Sequence, residues 1–407
     1  MILATGAGLS QVISITASPI LTRLFSPENF GTLALFLSSS AILSILSTAR
    51  YEMAIVQAKN NINAISLAFI AILISAIFLF LVQAAYIFFL NNAWAIDFNS
   101  KLDGLLVYIP IYVLIINIHK SVANYMNRNK LYKIIAFNQV VKAALQSGGK
   151  IIFGIANVLI SGLVFGMLIG WFISTTMLVH RFVNNNIKQS VYIAAVKRMR
   201  INLYKYRDFP KFLLLSDGIN VVAAQMPFFI TGLIFSTEQL GFLFLAYSIS
   251  SVPMGLIGVS ISQVFRQIAV HDYNSTGKCN ELFLRTFKQI LSRLIPVFVL
   301  MYFLAPYLFS FVYGEQWIES GRIVQILIFM FFFQFLARIL SYMYILTGHQ
   351  KENIIVQVFL LVGVILSFIV GYSISSNFHT SLTLFGISYS LIYMVVIYKS
   401  YIYSQGK

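Results

Sequence analysis

Phe25-Ser26-Pro27-Glu28-Asn29-Phe30-Gly31 returns later in the chain as Phe235-Ser236-Thr237-Glu238-Gln239-Leu240-Gly241. The chemistry of both copies is helix initiation: Ser26 and Ser236 can accept from first-turn amides, Pro27 suits the first turn, and Glu28 and Glu238 oppose the positive end of the helix dipole. Ser236 with Gln239 also fits a reciprocal capping box. Each copy follows an apolar run that holds a proline, Pro19 or Pro227, which removes a backbone hydrogen bond and favours a kink, so the two are read as paired hinges. A common cap would explain either copy alone. Their matching positions, each between the first and second apolar run of its half, argue for an internal repeat.

The runs around these motifs set the fold class. Of 407 residues, 59% are hydrophobic and only 10% are charged, with a mean hydropathy of +0.85, whereas soluble chains carry about 25% charged residues. Apolar runs fall near 2–22, 31–57, 63–90, 104–125, 132–156, 159–180, 210–234, 238–264, 287–312, 321–346, 353–375 and 382–403, each near the ~20 residues that span a bilayer as helix. The expectation is an all-α polytopic membrane protein with twelve transmembrane helices, which excludes most water-soluble enzyme classes. The single cysteine, Cys279, permits no intrachain disulfide. The five histidines are read as lying outside the apolar stretches, so neither a metal site nor a cofactor is expected.

A net charge of +16 would suggest nucleic acid in a soluble chain; beside membrane spans its distribution decides its meaning. With alternating loops and a cytoplasmic N-terminus, the inside segments are 50–62, 119–133, 180–211, 266–288, 347–352 and the tail from Lys399. Of the 28 Lys and Arg residues, only Arg23, Lys101 and Arg322 lie in the opposite loops. The positive-inside rule therefore places both termini in the cytoplasm, and no nucleic-acid partner is needed. Residues 1–22 lack a basic start and a small-x-small cleavage site, so no cleavable signal peptide is expected.

The longest polar stretch, 184–208, separates six runs from six. The reading is a lobe at 1–183, a basic cytoplasmic linker at 184–209 and a second lobe at 210–407. Because six is even, the repeats are parallel, related by an axis along the membrane normal; such pairs enclose a central cavity and suit alternating access. Pro110, Pro253 and Pro296 add bending points or packing kinks. In the linker, Ile187, Val191, Ala194 and Ala195 recur at helical spacing among Lys188, Lys197, Arg198, Arg200, Lys205 and Arg207, which suits either an anionic lipid surface or a solvated linker.

Charges inside the runs are the candidate site. One charge at the bilayer centre costs about 2.5–3.5 kcal/mol on insertion scales, so such groups face an interior. In the fifth run Asn138, Lys142, Gln146 and Lys150 recur every four residues on one helix face, a stripe that either lines a solvated cavity or serves pairing and packing. Asp217 either pairs with a nearby cation or acts as a protonatable coupling site. Arg293 and Arg338 lie in the cytoplasmic third of their runs and can snorkel to lipid phosphates. Arg50 and Glu52 stand together, as an ion pair or with Arg50 presented to a substrate phosphate. The balance is cationic, and a cleft so lined attracts an anion. Aromatic residues, 15% of the chain with 22 tyrosines, can stack on sugars, although interfacial belts and core packing use most of them.

Pro19-Ile20-Leu21-Thr22-Arg23-Leu24-Phe25 through Gly31, followed by Arg50-Tyr51-Glu52-Met53-Ala54-Ile55, resembles the opening of bacterial polysaccharide flippases of the Wzx type, which move O-antigen-like repeat units within the multidrug/oligosaccharidyl-lipid/polysaccharide exporter superfamily. Tyr313-Gly314-Glu315-Gln316-Trp317 with Gly321, and Asn127-Arg128-Asn129-Lys130, resemble two of the family's loops. The resemblance implies transfer of an undecaprenyl-diphosphate-linked oligosaccharide from the inner to the outer leaflet of the bacterial inner membrane, with an ion gradient as driving force. The partners it implies are that lipid-linked glycan, membrane phospholipid and other polysaccharide-assembly membrane proteins. The family's use of cavity cations carries over to Arg50, Lys142 and Lys150, and further to Arg23, Arg293 and Arg338. Relatives carry a short basic segment before the glycines of the first helix, here Gly6 and Gly8, which this sequence lacks.

Two other classes fit less well. A polysaccharide polymerase would want a large external loop with catalytic residues, whereas the stretch near 91–103 offers only Asp97, Lys101 and Asp103, so no enzyme is expected. A multidrug or small-solute antiporter of the same superfamily would prefer acidic cavity groups for cationic drugs, and a facilitator-type sugar transporter would show a Gly/Asp/Arg-rich loop where 58–62 reads Ala-Lys-Asn-Asn-Ile.

Overall fold

The computed structural model describes residues 2–89, 100–102, 104–184 and 189–406. Asp97 and Asp103, and Asn185, Asn186, Ile187 and Lys188 of the linker, lie outside the described residues. Within them the chain is helical and contains no strand. The long helices of the first half are α1 (Ile2–Leu24), α2 (Pro27–Ser47), α3 (Asn61–Phe89), α4 (Ile109–Arg128), α5 (Tyr132–Ile155) and α6 (Leu159–Val183). The linker forms two short helices, α7 (Gln189–Lys197) and α8 (Met199–Lys205). Then come α9 (Leu214–Ile234), α10 (Thr237–Pro253), α11 (Val259–Thr276), α12 (Asn280–Tyr313), α13 (Ile318–Leu340), α14 (Gln350–Ser375) and α15 (Phe378–Ser404).

Among the described residues, nine helices are long and apolar enough to cross a membrane. The segments that fall short are α1, α5 and the α10–α11 stretch. In α5 the cause is visible in the sequence: Asn138, Lys142, Gln146 and Lys150 dilute its hydropathy. In the α10–α11 stretch a π turn at Met254–Gly258 interrupts the helix.

The chain divides into two compact units, Met1–Gly241 and Phe242–Lys407. The first reaches past the linker because α9 packs along α2 and because the two copies of the repeated motif meet. A Cβ on Gly31 would stand 1.7 Å from the Thr237 carbonyl oxygen, and one on Gly241 would stand 1.8 Å from that of Pro27. Only glycine permits this reciprocal approach of two backbones. Both copies also close the capping box. The amide of Asn29 donates to Ser26 Oγ (3.4 Å) while the amide of Ser26 donates to Asn29 Oδ1 (3.2 Å). Ser236 and Gln239 exchange the same pair of bonds at 3.1 and 3.3 Å. Pro19 and Pro227 both sit inside continuous helix.

Two further features position the site. On α6, Gly162, Gly166 and Gly170 recur every four residues, and a Cβ on Gly166 or Gly170 would lie 2.4 Å from Lys150 N or Gln146 Cγ on α5. This is the small-residue packing by which membrane helices approach closely. In the linker, Ala195 is fully buried and Val191, Tyr192 and Met199 pack on the core beside the start of α3, while Tyr51 Oη donates to the Leu203 carbonyl (3.0 Å). The linker's small apolar face is thus spent on protein, leaving Ile193, Val196 and Ile201 exposed beside its cations.

In the second unit, Trp317 is fully buried with its ring edge-on to Phe242. The end of α15 is fastened by Lys399 and Tyr403, which reach Glu352 Oε2 at 2.6 and 2.5 Å.

Candidate anion-binding site

The charged residues of the first unit gather where α2 ends. Ala49 and Arg50 both take the left-handed conformation, φ 47° and 62°, at a cost of about 1–3 kcal/mol for each such non-glycine residue. The reversal sets Arg50 against two carboxylates. Its Nη1 donates to Glu52 Oε1 at 3.0 Å, and Nη2 pairs with Asp217 of α9. Glu52 is 2% exposed. Asp217 thus has the cationic partner that a carboxylate inside a span requires. The pairing is incomplete on both sides, because Arg50 Nε and Glu52 Oε2 are buried without a hydrogen-bond partner.

Lys120 belongs to this group, although the sequence reading assigned it to an inside loop. It lies on α4 eight residues before Arg128, about 12 Å along the helix, and its Nζ donates to Ser44 Oγ of α2 (2.9 Å). It stands within electrostatic reach of both Glu52 and Arg50. Beneath it Ser44, Ser47 and Ser75 converge on Asn117 at 2.7–2.8 Å. This node ties α2, α3 and α4 together and satisfies every polar group it buries.

The α5 stripe divides by role. Asn138, expected along a cavity, is 1% exposed. Its Oδ1 takes bonds from Ser174 Oγ (2.8 Å) and His119 Nε2 (2.9 Å), and its amide donates to the Ser174 carbonyl (2.8 Å). Gln146 packs against Gly170. Asn138 is therefore a buried helix-packing residue between α4 and α6, whereas Gln146 is half-buried, as the lysines are. His119 corrects the reading that no histidine lies in an apolar stretch: it sits inside α4 and is 7% exposed.

Lys142 and Lys150 are half-buried, and among the described residues neither has a carboxylate within ion-pair distance. Lys142 Nζ instead lies over the Trp171 ring, 3.9 Å from its centroid. His119 meets the same ring edge-on at 4.9 Å, and Lys120 is within electrostatic reach of Lys142. Trp171, on α6, had no signal in the sequence beyond its type.

Arg23 is exposed and donates to the Pro19 carbonyl (3.0 Å). Arg293 and Arg338 belong to the second unit, and both are exposed. Among the described residues, no cluster of His, Cys, Asp and Glu has the makings of a metal site.

Nine helices long and apolar enough to cross a membrane, among the described residues, define a multi-pass membrane protein, and comparison with solved structures gives its fold. An inward-facing multidrug resistance MATE family transporter of the MOP superfamily aligns over 97% of this chain and 93% of its own, at 15% identity and a TM-score of 0.68. The lipid II flippase MurJ in an inward closed conformation aligns over 99% and 89%, at 14% identity and a TM-score of 0.74. A MOP superfamily transporter from Pyrococcus furiosus, whose binding pocket is described as of reverse polarity, aligns over 98% and 93%, at 11% identity and a TM-score of 0.51. At these identities the likeness is one of fold. The family model described as "Polysaccharide biosynthesis protein" matches residues 20–322, and the chain belongs to that family. A search of curated proteins found no match.

Proposed function

We propose that this protein is a flippase that carries an undecaprenyl-diphosphate-linked oligosaccharide, such as an O-antigen repeat unit, from the inner to the outer leaflet of a bacterial inner membrane. Both termini lie in the cytoplasm, and a lobe at 1–183 and a lobe at 210–407 alternate access to a central cavity. The observation that carries this reading is the pair Lys120 and Lys142, two ammonium groups deep in apolar helices without a bonded carboxylate, in a member of a polysaccharide biosynthesis family. A diphosphate supplies the missing counter-charge, and charge-assisted bonds are the strong ones in a low-dielectric site. Arg50 joins them once Asp217 releases it, and Lys150 extends the positive field along α5.

The release of Asp217 offers a route for coupling to a proton gradient, since a protonated carboxyl no longer holds the guanidinium. A fold shared with a lipid II flippase supports a lipid-linked substrate; a fold shared with a multidrug transporter supports the alternative of an exporter. The sign of the cluster, four cations to two anions, disfavours cationic drugs. The test is genetic. Deleting the gene is expected to abolish one surface polysaccharide and leave its lipid-linked unit facing the cytoplasm. Normal appearance of that unit in the outer leaflet would overturn the proposal.

A further inference from the structure

An apolar pocket of about 430 Å³ opens between α2, α3, α4 and α9, within the 300–1,000 Å³ usual for ligand sites. Ser39, Leu43, Val82, Ala85, Pro110 and Phe229 are among its lining residues. Its walls are almost wholly apolar. Ser39 is nine-tenths buried, and its Oγ has no hydrogen-bond partner.

The register of the helices places this pocket against the cationic group. Leu43 adjoins Ser44, which accepts from Lys120. Val82 lies seven residues beyond Ser75 on α3 and Pro110 seven residues before Asn117 on α4, each about 10 Å along its helix from the Asn117 node. Phe229 shares α9 with Asp217. The pocket thus lies on the helices that carry Lys120 and Asp217, on the opposite side of the Asn117 node from these charges, and Lys142 stands within electrostatic reach of Lys120 from α5.

We infer that the pocket holds the first isoprene units of a prenyl diphosphate whose head is bound at Lys120 and Lys142; this rests on the function proposed above and adds a site for the lipid. The occupant must join a dianionic head to a long apolar chain. A resident bilayer phospholipid keeps its phosphate at the interface, about 15 Å from the midplane. Lys120 sits about 12 Å inside α4, so a head bound there belongs to a lipid in transit. Seating the chain in the first unit leaves the glycan on the aqueous side of the cations, which allows one carrier to move different sugars on the same lipid.

The test uses the full chain in phosphatidylethanolamine/phosphatidylglycerol vesicles and undecaprenyl diphosphate bearing a diazirine on an early isoprene unit. Saturable labelling is expected within 82–86 and 106–110. Ala85→Trp, an exposed position on the pocket wall, is expected to lower that labelling about tenfold. Leu73→Trp, on the same helix, 50% exposed and outside the pocket, is expected to leave it unchanged. Saturable binding with the label elsewhere would overturn the placement of the chain while sparing the function. No saturable binding at all would overturn both. Equal labelling of these segments by a diazirine phosphatidylcholine, uncompeted by undecaprenyl diphosphate, would make the occupant a resident lipid and overturn the inference.

Discussion

Arg50 and Lys142 are both cations inside one helical unit, but they are neutralised by different means. Arg50 is gripped by Glu52 and Asp217, whereas Lys142 rests on the Trp171 face with no bonded anion. A paired guanidinium must exchange one carboxylate before it can take a phosphate. An ammonium on an aromatic ring exchanges only a cation–π contact worth about 0.5–2 kcal/mol. On the function proposed above, the end of α2 serves stability and gating, and the α5–α6 interface serves anion capture.

The widest separation between the two is expected from alanine at each. Arg50→Ala strands Glu52, buried and unpaired, at a cost of about 3–5 kcal/mol; thermal unfolding in detergent should show a large fall in midpoint, and an unchanged midpoint would break the comparison. Lys142→Ala leaves no orphaned charge and gives up only the contact with Trp171, so abundance should stay normal and the midpoint should fall far less than for Arg50→Ala. Loss of charge-assisted bonds worth about 1.5–3 kcal/mol should slow delivery of the lipid-linked glycan about ten- to hundredfold. Unchanged surface polysaccharide in a deletion background would remove Lys142 from the mechanism. Trp171→Leu loses the ring's edge contacts with His119 and Tyr112 in either background, and its cost should be smaller by about 0.5–2 kcal/mol beside Lys142→Ala, a non-additivity that a double-mutant cycle reads directly. The smallest effect is expected of Asp217→Asn, which keeps a polar partner for Arg50 but weakens gradient-driven transport. Equal responses of this variant and the wild type to collapse of the proton gradient would discard the coupling role.

Much of the helical frame was legible because the solvent dictates it: long apolar runs in lipid must close their backbone bonds within the helix. The repeated motif was legible as a pair of caps, but not as a mutual contact, since nothing in the sequence says that Gly31 and Gly241 approach the opposite backbone. The stripe on α5 shows the limit of periodicity. Spacing places Asn138, Lys142, Gln146 and Lys150 on one face, but what that face meets depends on the neighbouring helices, and Asn138 is buried against Ser174 of α6 and His119 of α4. Lys120 and His119 were misplaced for a related reason. They sit midway along α4, where its composition turns polar and reads as loop although the helix continues to Arg128. Trp171 became a partner only through the packing of α6 on α5.

The central claim, that Lys142 borders water and receives an anion there, is tested most directly by thiol labelling of Lys142→Cys in membranes. The chain's one cysteine gives little background. Cys279 is 4% exposed, and burial, aided by Asp272, pushes its thiol up to about 11, so little reactive thiolate forms near neutral pH. The account expects a membrane-impermeant maleimide to modify residue 142 and undecaprenyl diphosphate to slow that modification. A thiol at 142 that stays inert, with or without that lipid and with the gradient imposed or collapsed, would contradict it.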